Sequence, residues 1–367
     1  MDKKEILQII NSLASVRAPS GMEKERGLIY KKEIIKSFSK YNISVNTDAL
    51  QNFYVKLKGI NAKKDVAILA HIDEIGGTIR RIKKNGYLEF SRRGGYEGRW
   101  LVSRTIQILN KDGKWINGVI GGRSTHSTPE KLRSKEKIDP LEMKIYIGAK
   151  SRDEVINKYG IHVGSPLVFK GEFGLFNPDQ DDNIIAGYSM DNLAALTSLI
   201  VLSERISTKL LTDYGSCKIP YNIHIVATSR EEIGTEGAHH YTRVNNIDQV
   251  IAIDIAPVAD FSGSVNSGIK LDGGPVIVWQ ERRGSGVMDY DFCRSLIKIA
   301  EKNALDYQNG VFEFYGSDAG KSQKWLGISS ALIGIPVLFS HNVPEISTLN
   351  AIKNTAELIY LYLKSLK

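Results

Sequence analysis

Asn222-Ile223-His224-Ile225-Val226-Ala227, followed two residues later by Arg230-Glu231-Glu232-Ile233-Gly234, is an apolar, β-branched run that gives out in two adjacent acids. The run suits a strand. A buried strand does not end in paired carboxylates unless something cationic meets them, because an unpaired buried carboxylate is very costly. Three other runs end in a similar way. Asp65-Val66-Ala67-Ile68-Leu69-Ala70 is nearly continuous in apolar character, as in a central strand covered on both faces, and leads into His71-Ile72-Asp73. Val250-Ile251-Ala252-Ile253 ends at Asp254, and Pro336-Val337-Leu338-Phe339-Ser340 ends at His341.

Helical patterns lie between these strands. Ile6, Ile9, Ile10 and Leu13 recur at helical spacing over residues 2 to 14. Ser20 with Glu23 three residues on forms a capping-box signal for a second helix running to about Ser39. A third runs from Leu193 to Ile206, directly after Asp191, where an aspartate reads equally as an N-cap and as a ligand. A last one, Ala351 to Leu366, carries Ile352, Ala356, Ile359, Tyr360 and Leu363 on one stripe. Strands alternating with helices imply an α/β fold, a mixed sheet with helices on both faces. From about Gly77 to Asp181 the texture changes to short alternating strands with glycine turns, such as Thr105-Ile106-Gln107-Ile108-Leu109 and Trp115-Ile116-Asn117-Gly118-Val119-Ile120. The expected organisation is one discontinuous domain, residues 1–77 and 182–367, interrupted by a small β-barrel-like domain at 78–181.

In open α/β sheets ligands bind outside the carboxyl ends of the strands. His71, Asp191, Glu232, Asp254 and His341 all fall at or near such ends. Five nitrogen and oxygen donors with one shared carboxylate suit two divalent ions of zinc, cobalt or manganese ~3.5–4 Å apart. The donor set contains no cysteine, which points toward a catalytic site and away from a closed structural zinc site. Glu231, adjacent to a ligand and not needed as one, is the natural general base for an attacking water. His71 and Asp73, two apart in an extended chain, leave on one face, so Asp73 is placed to orient the imidazole.

Composition excludes little and is consistent with this. The chain has 367 residues, 42% of them hydrophobic and 25% charged, with two cysteines, Cys217 and Cys293, too few for a disulfide framework. No apolar run approaches the ~20 residues that span a bilayer, and the start, Met1-Asp2-Lys3-Lys4-Glu5, has no signal-peptide core. A cytoplasmic address without membrane contact is the expectation. The net charge of +8 raises nucleic acid as a partner, but the lysines are dispersed (Lys63-Lys64, Lys83-Lys84, Lys131 to Lys137) among acids, which reads as a solvated surface. His126, His162, His224, His239 and His240 stand outside the constellation; His224, inside a strand, is expected in the core, and His126 is the one considered for reaching a neighbouring subunit's site.

Ala70-His71-Ile72-Asp73-Glu74-Ile75-Gly76 and Glu231-Glu232-Ile233-Gly234-Thr235-Glu236-Gly237-Ala238 resemble the M42 family of dinuclear metalloaminopeptidases. Further matches are Gly118 to Gly121, Ile147 to Ser151, Gly160 to Pro166, Gly316-Ser317-Asp318-Ala319, and Gly334-Ile335-Pro336 leading to His341. The resemblance implies removal of N-terminal residues from short peptides by a water activated between two metal ions per subunit, in a homo-oligomer that is often a twelve-subunit tetrahedral shell. It implies that His71, Asp191 and Asp254 hold one ion, that Asp191, Glu232 and His341 hold the other, that Glu231 is the base and that Asp73 supports His71. The sequence departs from the family's pattern at Asn192-Leu193 after Asp191, at Arg230 and at Glu236, positions that bear on side-chain preference. The rival readings are a related dinuclear amidohydrolase acting on N-acyl amino acids or another small amide, and a non-catalytic assembly protein, which the retained Glu231 argues against.

Overall fold

The computed structural model describes residues 1–122, 126, 130, 139–259, 267–284 and 286–366. The Lys131 to Lys137 run lies outside them. Four parallel strands form the centre of a twelve-stranded mixed sheet: Tyr221–Thr228, Lys64–His71, Gln249–Val258 and Ser329–Leu338, adjacent in that order. Their residues are almost continuously buried, as the apolar runs require. Antiparallel strands extend the sheet at both edges.

Helices cover both faces. Lys3–Ala14, Lys24–Ser37, Met190–Lys209 and Leu349–Ser365 pack together on one, and Glu236–Val244 with Asp318–Leu326 on the other. Ile6, Ile9, Ile10 and Leu13 are buried, as is the whole stripe of the C-terminal helix, which the Thr348 side chain caps by accepting from Ala351 N–H. No helix among the described residues is long and apolar enough to cross a membrane.

Three local readings are corrected. Ser20 and Glu23 form no capping box: Glu23 is itself the N-cap position, without a side-chain cap bond. Their side chains are drawn elsewhere, Ser20 Oγ donating to Asp73 Oδ2 at 2.7 Å and Glu23 Oε1 accepting from the N–H groups of Gly21 and Arg230. Asp191 is not an N-cap either, since Ser189 precedes the helix and the Asp191 backbone is non-helical within its first turn. Asp254 does not end its strand, which continues to Val258; what ends there is the pairing with Lys64–His71, whose last partners are Leu69 and Ala252. The sheet opens just past that point, so Asp254 faces a gap.

Between Gly76 and Phe169 six strands close into an antiparallel barrel: Gly76–Ile82, Leu88–Arg93, Lys144–Tyr146, Trp115–Gly121, Thr105–Leu109 and Pro166–Phe169. Ile79, Leu88, Phe90, Ile106, Ile108, Ile120, Ile145 and Leu167 fill it as a core separate from that of the sheet. The chain rejoins the large sheet at the Gly174–Asn177 strand, ahead of the boundary expected at 182, because that strand pairs in a hairpin with Asp181–Gly187.

His224 is buried in its strand, with Nδ1 2.9 Å from the Tyr241 hydroxyl. Burial pushes its pKa down, Asp65 opposing and Lys56 assisting, from 6.5 to about 4. Between those values the unfolded chain holds a proton that the folded chain does not, so stability rises with pH across that window and is lost as pH falls through it. His224→Gln is expected to flatten this acid limb in urea unfolding between pH 6.5 and 4; an unchanged limb would assign the loss to other groups.

Candidate metal centre

The carboxyl ends of the central strands converge on one carboxylate. Asp191 Oδ1 lies 3.0 Å from His71 Nε2, and Asp191 Oδ2 lies 3.1 Å from His341 Nε2. Asp254 Oδ1 stands 3.9 Å and Glu231 Oε2 4.0 Å from His71 Nε2, while Glu232 Oε1 stands 3.6 Å from His341 Nε2. One donor atom each from His71, Asp191 and Glu232 lie within 4.8 Å of one another. All six side chains expected at the centre, base included, are thus brought together.

The imidazoles are committed at their other nitrogens. His71 Nδ1 is 3.1 Å from the Asp73 carbonyl oxygen, and His341 Nδ1 bonds the Gly95 carbonyl. A carbonyl accepts only, so each Nδ1 carries a proton and each Nε2 is left facing an Asp191 oxygen. Nitrogen and carboxylate oxygen at about 3 Å call for a proton or a cation between them, and against burial Asp191 raises the proton affinity of both imidazoles.

Electrostatics fit the same need. Burial pushes the Glu232 carboxyl up to about 7, His341 pulling down and Asp191 pushing up. Burial also drives Glu231 well above its ordinary value; His71 opposes this, and Asp254, Asp318 and Glu232 add to it. Asp254 is raised for the same reasons, with Asp191 its chief charged neighbour. Glu232 Oε1 is buried without a hydrogen-bond partner. Two imidazoles and four carboxylates, one of them with an orphaned oxygen, make a donor set that fits divalent cations.

Support comes from residues that do not face the cluster. Asp73 accepts the backbone N–H groups of Glu231 (2.9 Å) and Glu232 (3.2 Å) as well as the Ser20 hydroxyl, so it holds the acidic loop in addition to standing beside His71. Glu345 does the equivalent for the other ligands, accepting the N–H of His341 at 2.7 Å and of Asp191 at 3.3 Å. Burial raises Glu345 to about 8. Arg26, fully buried, pairs with Glu74 at 2.9 Å and donates to the carbonyls of Val16 and Ile72, tying the second helix to the end of the His71 strand. The sequence reading missed Glu345, Gly95 and Arg26. Glu345 follows His341 by only four residues, but nothing in that spacing signals its buried role.

The departures from the family's pattern also find places. Asn192 is buried and donates to the Ile253 carbonyl, beside Asp254. Arg230 and Glu236 pair with each other at 3.0 Å on the rim. Beside the cluster opens a cleft of about 880 Å³, lined by Trp100, Arg283, Phe314, Tyr315, Gly316 and Lys321 among others. His239 and His240 lie on the Glu236–Val244 helix, and His126 and His162 are exposed, all outside the cluster.

A sheet of this topology with an inserted barrel and this cluster at its strand ends defines a hydrolase of the aminopeptidase class. A family model described as M42 glutamyl aminopeptidase matches residues 51–358, and the chain belongs to that family. A putative aminopeptidase of Acetivibrio thermocellus is 27% identical over 360 residues, covering 98% of both chains. An aminopeptidase from the archaeon Desulfurococcus kamchatkensis superposes with a TM-score of 0.87 at 26% identity, over 100% of this chain and 96% of that one. The Pyrococcus horikoshii TET1 peptidase, which can assemble into a tetrahedron or a large octahedral shell, gives 0.80 at 26% identity over 98% and 100%.

Asp73→Ala would strand two backbone donors and a hydroxyl in a dry interior. It is expected to lower stability to denaturant by about 1–3 kcal/mol; a neutral substitution would show that water replaces the carboxylate.

Proposed function

We propose that this chain is a dinuclear metal-dependent aminopeptidase that removes N-terminal residues from short peptides. The observation that carries the reading is the pair of Nε2 atoms directed at the two oxygens of one buried carboxylate, with the buried, unpartnered Glu232 Oε1 beside them. In this reading His71, Asp191 and Asp254 hold one divalent ion (zinc, cobalt or manganese) and Asp191, Glu232 and His341 hold the other. When bound, such a pair supplies a nucleophilic water at neutral pH and polarises a carbonyl.

The chain's own residues do the rest. Glu231 takes a proton from the attacking water and delivers it to the departing amine, a role its raised proton affinity and its place 4.0 Å from His71 support. Asp73 fixes the backbone of Glu231 and Glu232, so the base and its neighbouring ligand keep their spacing. The cleft lined by Trp100 and Phe314 receives the substrate. The chain up to about residue 77 and from the Gly174–Asn177 strand onward is read as the catalytic unit, with the inserted barrel between them serving access and assembly. A homo-oligomer fits the assembly named for the P. horikoshii relative. Two free, buried cysteines suit a cytoplasmic address.

Matched short peptides with free and acetylated N-termini, given to zinc- or cobalt-loaded protein and to a chelated control, test the reading. Metal-dependent cleavage of only the free-amine peptides is expected. Cleavage of only the acetylated ones would replace it with an N-acyl amidohydrolase. Glu231→Gln is expected to keep both ions by calorimetry yet lose about 10²–10⁴ in kcat; normal turnover would remove Glu231 as the base.

A further inference from the structure

The two imidazoles are supported differently. His71 belongs to a central strand, and its Nδ1 partner, the Asp73 carbonyl, comes from the same segment. His341 lies beyond the end of its strand, in a loop where both Phe339 (φ 61°) and His341 (φ 59°) are left-handed. Side chains other than glycine rarely adopt that backbone, and it persists only where the surroundings hold it.

Much of that hold comes from the inserted barrel. Gly95, after the Leu88–Arg93 barrel strand, supplies the carbonyl for His341 Nδ1. The Arg104 guanidinium then grips the next two residues, Nη1 donating to the Val343 carbonyl and Nη2 to Asn342 Oδ1. Asn342 Oδ1 also accepts the Val343 N–H at 2.9 Å, so the arginine fork closes on an already folded turn. Arg104 is anchored in turn: its Nε donates to the Trp100 carbonyl at 2.9 Å, its N–H to the Leu101 carbonyl, and its own carbonyl accepts from Ile120.

We propose that Arg104 is a positioning residue for the His341 half of the metal centre, through which the inserted barrel sets the placement of one ligand and leaves the His71 half to the sheet. The inference rests on the dinuclear reading above. A planar guanidinium reaches two acceptors at once, whereas an ammonium is a single point charge. Arg104→Lys should therefore retain part of the effect and Arg104→Ala none.

Zinc titration calorimetry on the full-length chain, with His341→Ala as the reference for loss of one half, tests this. Wild type should bind two equivalents. Arg104→Ala should weaken by about tenfold or more the equivalent that His341→Ala removes, the scale typical of residues that orient ligands, and leave the other unchanged. Arg104→Lys should fall between. Unchanged binding of both ions, or equal weakening of both, would overturn the proposal. If Arg104→Ala does not fold, Arg104→Lys and Asn342→Ala, which removes one of the two acceptors, decide it by the same selective loss. A wild-type protein that binds no pair of ions overturns the dinuclear reading instead, so the two failures are distinct.

Discussion

One carboxylate facing two imidazole Nε2 atoms is the constraint on which the site depends. Asp191 can meet both only if His71 and His341, from strands that are not neighbours, arrive within about 3 Å of its two oxygens. The Gln249–Val258 strand lies between those two strands and carries Asp254. Because the Lys64–His71 strand stops pairing with Gln249–Val258 at Leu69, while it stays paired with Tyr221–Thr228 as far as His71, the side chains of His71 and Asp254 turn into the same gap. The parting of these two neighbouring strands thus creates the space in which the cluster sits.

Concentrating acids in such a gap has an electrostatic cost that the protein distributes. Glu231, Glu232 and Asp254 are all raised by burial, whereas in Asp191 the bonds to His341 and His71 overcome burial and hold the carboxyl below its ordinary value. Asp254 lies in a strand, but Glu231, Glu232, Asp191 and His341 sit in irregular backbone, so their N–H groups have no ladder to join and must find acceptors elsewhere. Asp73 serves Glu231 and Glu232; Glu345 serves Asp191 and His341. Each of these acids holds the backbone of two cluster residues, which makes them part of the geometry even though neither is needed to face a metal.

What was legible in the sequence was whatever a strand end makes local. His71, Glu232 and His341 each follow an apolar run, and a buried run ending in a charged or ligating residue asks for a reason on its own. Asp254 was found by the same signal, although its strand continues and the true cause is the end of its pairing with the neighbouring strand, which a single segment cannot reveal. Ser20 and Glu23 show the limit most clearly. Their spacing is that of a capping box, but both side chains are diverted to distant groups, Ser20 to Asp73 and Glu23 to the Arg230 N–H. Tertiary partners, an acceptor for Ser20 and a donor for Glu23, outcompeted a local cap worth about 1 kcal/mol. Glu345, Gly95 and Arg26 were invisible because their partners are set by topology alone.

The same reasoning explains why the barrel matters to the cluster. A ligand inside a strand inherits its position from the ladder, and His71 needs only its own segment to fix the ring. A ligand in a left-handed loop inherits nothing of the kind. His341 stands beyond its strand because a ligand opposite His71 across Asp191 must reach past the sheet's edge of pairing, and a reach of that sort removes it from the ladder that would have held it. Glu345 holds its backbone N–H, and the constraint on the ring and on the turn beyond it comes from another body. The closed barrel, with its separate core and no free edge, is rigid enough to supply it. Inserting the barrel between the strand of His71 and the residues of the second half places Gly95 and Arg104 where that loop lacks support. On this argument the insert completes the candidate metal centre, and its contact with the Asn342-Val343 turn is a joint between the two cores.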